Sequence, residues 1–123
     1  MAFGRKQVDN INQTLDSSNW FTVAIDVESY LVMVNLVSFK MSGVHSAATK
    51  LKVFITRDQD GDDQLITETE SNILPGKTTP TTKCAVYRFN SIVPATDNDT
   101  LYVHAKVNSN TATLERVFLS YEV

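Results

Sequence analysis

Apolar and polar residues alternate singly along most of this chain. Phe21, Val23, Ile25 and Val27 are separated by Thr22, Ala24 and Asp26, and Leu51, Val53 and Ile55 stand opposite Lys50, Lys52, Phe54 and Thr56. Leu101, Val103, Ala105 and Val107 repeat the pattern, as do Val117, Leu119 and Tyr121 against Arg116, Phe118 and Ser120. Successive side chains of an extended strand point to opposite faces, so this period buries one face and solvates the other. The residue types agree with it. Valine and threonine each occur 14 times, against 4 glycines and 3 prolines, and β-branched side chains favour pleated backbone. No ten-residue segment carries a convincing amphipathic helix pattern. The expected class is all-β.

Turn signals divide the pattern into seven strands. The run from Tyr30 to Phe39 is apolar on both faces apart from Asn35 and Ser38, which suits a central strand or one covered by a partner. Gly43 closes that hairpin. A strand over Thr49 to Arg57 leads into Asp60-Gly61, a strong hairpin signal, and returns over Gln64 to Glu70. Pro75, Gly76 and Pro80 make 71–82 a crossover loop. Further strands follow over Lys83 to Phe89 or Val93, Leu101 to Val107, and the C-terminal residues. A chain of 123 residues makes one domain that can bury about two-thirds of its surface. The expectation is a single antiparallel β-sandwich of about seven to eight strands, jelly-roll or immunoglobulin-like, spanning 20–123. Residues 1–19, polar and rich in Asn and Asp, with Val8, Ile11 and Leu15 as apolar anchors, read as an N-terminal arm that docks on a neighbour, with a short edge strand as the alternative.

The charges exclude several functions. Eleven basic and fourteen acidic residues leave a net charge of −3, with no run of more than two adjacent cations. The phosphate-neutralising face that nucleic acid requires is missing. No apolar stretch is long enough to span a membrane as a helix, and the first residues lack the apolar region of a signal peptide. A lone cysteine, Cys84, forms no intrachain disulfide and is expected to stay reduced. The acidic turn fails the EF-hand pattern, although an irregular calcium site could use Asp58, Asp60 and Asp62. A solvated hairpin tip is the plainer reading. His45 and His104 belong to no catalytic motif, and neither a nucleophile elbow nor a phosphate loop is present. The expectation is a non-enzyme without a cofactor.

Two binding modes remain open. Trp20, Tyr30, Tyr87, Tyr102 and Tyr121 could build a platform on which sugars stack, or simply cap the sandwich and point their hydroxyls to its rim. The outward positions of Phe54 and Phe118, with Leu31, Met33 and Val37 of the doubly apolar run, suggest a protein interface instead.

The segments Leu51 to Asp58 with Gly61-Asp62, and Leu101 to Asn108, resemble small all-β structural proteins of tailed bacteriophages, as do the short chain and its Thr/Asn/Val-rich composition. That resemblance implies a virion component assembled in the host cytoplasm. It would be a homo-oligomeric decoration or cement protein that binds a major capsid protein or another virion protein. A tail or head–tail connector part is the next expectation, and a carbohydrate- or receptor-binding β-sandwich the alternative from a different class. The resemblance carries no functional residue with it.

Overall fold

The alternating segments become strands in the computed structural model, which describes residues 3–27, 31–45, 49–56, 60, 64–74, 77–94, 100–108 and 111–122. Among them are nine strands: β1 (Phe3–Val8), β2 (Gln13–Leu15), β3 (Phe21–Asp26), β4 (Leu31–His45), β5 (Thr49–Thr56), β6 (Gln64–Leu74), β7 (Lys77–Pro94), β8 (Thr100–Val107) and β9 (Ala112–Glu122). All pair antiparallel. One sheet runs β1-β9-β4-β7, with β2 also on β9, and the other runs β3-β8-β5-β6. With β1 and β2 taken as two pieces of one edge strand, this is the eight-strand order of a jelly roll. Topology thereby selects one of the two expected sandwiches.

In β3, β5, β8 and the end of β9 the inward residues are those the alternation marked. In β4, apolar on both faces, the structure chooses Val34, Val37, Phe39 and Met41, so Val37 is core and not an interface residue. Val23, Ile25, Leu51, Val53, Ile55, Leu101, Val103, Ala105 and Val107 of one sheet meet Val34, Val37, Phe39, Met41, Leu114, Val117, Leu119 and Tyr121 of the other in one core. The spacing from Val34 to Val37 breaks period two. A register shift between Val34 and Leu36, in both of β4's pairings, inserts the extra residue and returns Val37 to the inner face. β4 is indeed central, flanked by β9 and β7.

Three expectations are corrected. There is no separate arm. Residues 3–8 and 13–15 pair with β9, Leu15 is only 2% exposed, and Val8 and Ile11 pack partly buried on the core. An edge strand is held by backbone hydrogen bonds along one flank, and these leave little side-chain pattern to read. Gly43 does not end a hairpin but lies within β4, opposite Thr81. Much of the presumed crossover loop is sheet, because β6 extends to Leu74 and β7 starts at Lys77 and contains Pro80. That strand is a sheet edge, where a missing N–H can be tolerated.

Candidate functional site

The outer face of the β3-β8-β5-β6 sheet carries chemistry that the core does not use. Thr22, His104 and Phe54 stand in register across β3, β8 and β5. The next row toward Trp20 holds Lys106 opposite Lys52, and the row on the other side holds Ala24, Tyr102 and Thr56. His104 is 2% exposed, although it points away from the core. Its Nδ1 lies 2.7 Å from the Thr22 hydroxyl and its Nε2 2.7 Å from the Thr56 hydroxyl. A neutral imidazole offers one donor and one acceptor, and a hydroxyl can complement either, so both ring nitrogens are satisfied. This histidine is locked in place by the two threonine hydroxyls that flank it.

The locked ring supports a stack. Phe54 lies on His104 with centroids 4.4 Å apart and planes 14° apart. Trp20 meets Phe54 edge-on at 4.6 Å and 84°, and the Lys106 ammonium sits 4.6 Å from the Trp20 centroid. Such aromatic and cation–π contacts contribute about 0.5–1.5 kcal/mol each. The order is His104 and Phe54 buried beneath, Trp20 half-buried above.

The chain leading into Trp20 is fixed as firmly. Asp16 accepts hydrogen bonds at Oδ1 from the backbone N–H groups of Asn19 (3.0 Å) and Ser18 (2.9 Å), and its carbonyl accepts one from Val107 N–H. Those two backbone donors, Asn19 first, hold the Asp16 carboxyl below its ordinary value of 3.8. Beside the indole, Gln13, Thr14, Leu15, Asp16, Asn19, Trp20 and Phe21 line a hollow of about 150 Å³. It joins an aromatic wall to carboxylate and carboxamide side chains.

The residues singled out from sequence are scattered by the fold. Trp20 and Tyr102 share the outer face just described, but Tyr121 is buried on the other sheet, where its ring crosses the backbone of Gly4. Tyr30 lies outside the described residues, as does the Tyr87 side chain, although its backbone is in β7. Of the interface candidates, Leu15 and Val37 are core. Phe54 faces outward as expected yet is 6% exposed, covered by its aromatic neighbours rather than awaiting a partner. Phe118 is half-buried on the outer face of the other sheet, between Gln7 and Ser38. The side chains of Leu31 and Met33 lie outside the described residues, as do those of Cys84 and His45, with Asp58 and Asp62. Asp60 is exposed, and among the described residues no group of three metal-ligating side chains gathers. Sequence reading missed the Thr22–His104–Thr56 bracket and the Gln13, Asp16 and Asn19 wall. Their only signal was polar residues at outward positions, which says nothing of who is beside whom.

No protein-family model matches this sequence, and no curated protein matches it. Solved structures do share the fold. A carbohydrate-binding module from a family 9 glycoside hydrolase of Ruminococcus flavefaciens FD-1 superposes with a TM-score of 0.58 at 8% identity, covering 97% of this chain and 98% of that one. A family 36 carbohydrate-binding module in complex with calcium and xylotriose gives 0.54 at 7% identity, over 95% and 98%. A family 15 xylan-binding module gives 0.52 at 14% identity, over 97% of each chain. At these identities the likeness is one of fold. This chain is a β-sandwich of the build those modules use.

Proposed function

We propose that this chain is a carbohydrate-binding β-sandwich whose ligand stacks on Trp20 and hydrogen-bonds to Gln13, Asp16 and Asn19. The carrying observation is the half-buried indole, backed by Phe54 and the locked His104, beside a hollow lined with carboxylate and carboxamide groups. A pyranose has flat C–H faces and a rim of hydroxyls, so it asks for an apolar plate and planar polar groups together. At about 150 Å³ the hollow is smaller than the roughly 300–1,000 Å³ of drug-sized pockets, which favours one sugar ring or a chain end. The fold's use in modules that bind xylan and xylotriose supports the class of ligand, not the particular sugar. No step of catalysis belongs to this reading.

A capsid-decoration role rested on the resemblance to phage structural proteins, with the arm, Phe54, Phe118 and the Leu31–Phe39 run as its interface candidates. With the arm paired into the sheet and Phe54 covered, carbohydrate binding is the better-supported reading. The test is retention on insoluble xylan, cellulose and mixed-linkage glucan, followed by calorimetry with the matching oligosaccharide. Wild type should be retained by at least one polymer. Trp20→Ala should weaken binding about tenfold or more, and so should Asn19→Ala, which leaves the Phe54 contact intact. If no polymer retains the wild type, or both variants bind like it, the reading fails. Concentration-dependent self-association in sedimentation without polymer retention would favour the lattice-binding module instead.

A further inference from the structure

A second pocket lies on the opposite sheet, where two irregularities coincide. β1 pairs with β9 up to Val8 opposite Val117, and β2 resumes at Gln13 opposite Leu114. Residues 9–12 therefore face only Glu115 and Arg116. β9 bulges at the same place, since Lys40 pairs with Arg116 while Met41 pairs with Leu114. Glu115 and Arg116 are consequently both half-buried, where strict alternation would send one of them inward. Asn10 and Asn12 adopt φ of 56° and 48°, left-handed conformations that asparagine tolerates better than most residues. Between them the Ile11 N–H donates to the Glu115 carbonyl at 3.0 Å, and the Ile11 side chain packs on the core. That anchor fixes the backbone that carries both asparagines.

The product is a pocket of about 390 Å³ lined by Asp9, Asn10, Asn12, Lys40, Glu115 and Arg116, a size within the range of small-ligand sites. No lining side chain is apolar. Asp9 pairs with Arg116 and Lys40 with Glu115, so the formal charge of the lining is zero. An anion or a metal ion would meet as much repulsion as attraction. Hydroxyl groups would not, because each can donate to a carboxylate and accept from a guanidinium, ammonium or carboxamide. We propose that this pocket is a second, stacking-free site for a neutral saccharide or a similar polyol. The inference rests on the pocket's own lining and stands apart from the Trp20 site.

Amide spectra of isotope-labelled protein, titrated separately with methyl β-D-glucopyranoside, glycine and sodium sulfate, test it. The glucoside should shift the Asn10 and Asn12 signals and the Arg116 Nε–H saturably, and glycine and sulfate should not. Trp20→Ala should leave that response unchanged. Asn10→Gly and Asn12→Gly remove the carboxamides at positions where glycine relieves the positive φ, so the fold should hold. Each should weaken the glucoside about tenfold, equivalent to ~1.4 kcal/mol. Absence of a saturable response overturns the proposal. So does saturation by sulfate or glycine in place of the glucoside, loss of the response in folded Trp20→Ala, or wild-type affinity in both glycine variants.

Discussion

Phe54 shows how one side chain can be outward in register and still structural. It carries Trp20 on one side and rests on His104 on the other. Truncation should therefore act on both stability and ligand capture. Phe54→Ala is expected to cost about 3 kcal/mol, toward the low end of buried phenylalanine truncations because the site can partly collapse. Thermal melts should show a fall of roughly ten degrees for a domain of this size, together with loss of polysaccharide retention. A melt within a degree of wild type would mean that Trp20 is held by something else. Gly4 makes the opposite case, since a Cβ there would run into the Tyr121 ring. Gly4→Ala should destabilise by about 1–3 kcal/mol through overpacking, and urea midpoints of the two proteins check it. Asp16 sets a pH dependence at this scale. Its folded-state pKa is depressed by the Asn19 and Ser18 N–H donors, so its contribution is complete above the ordinary 3.8 and is lost as pH falls through the lower folded value. Asp16→Asn should accordingly show a shallower loss of stability than wild type on acidification below that pH. Parallel acid titrations would refute this assignment.

At the scale of elements, β1 and β2 change what a truncation means. A dispensable arm could be removed without loss, but these strands pair along β9 and deliver Leu15 to the core. Deleting residues 1–16 is expected to abolish cooperative unfolding, and Leu15→Ala alone to cost about 2–5 kcal/mol. Circular dichroism melts of both variants provide the measurement. A truncated chain that melts like the full one would restore the arm. The element was hard to read because Arg5, Lys6 and Gln7 offer no apolar alternation, and the Asp9–Asn12 interruption falls in its middle. Asn10 and Asn12 were legible only as members of a polar, Asn-rich segment. That they belong to a bulge opposite a second bulge in β9 was not, since register is a property of the pair.

Over the whole molecule, nearly every stabilising pairing joins distant parts of the chain, as with β1 on β9 and β3 on β8. Loop closure must precede such contacts, so refolding is expected in the millisecond-to-second range typical of all-β sandwiches. Stopped-flow Trp20 fluorescence would detect this, and microsecond folding would contradict it. The sequence alone determined that the chain is all-β and two-layered, and which residues of β3, β5, β8 and the end of β9 face inward. Each of those follows from local alternation, which fixes the face of a residue without reference to any other strand. Only the tertiary structure decided that the first strand is an edge of the sheet, that Phe54 is covered, and that Trp20 has polar neighbours. Those facts depend on which strands lie side by side and in what register. Hydrogen bonds of the same kind would serve many pairings, and the shared burial of one core selects among them.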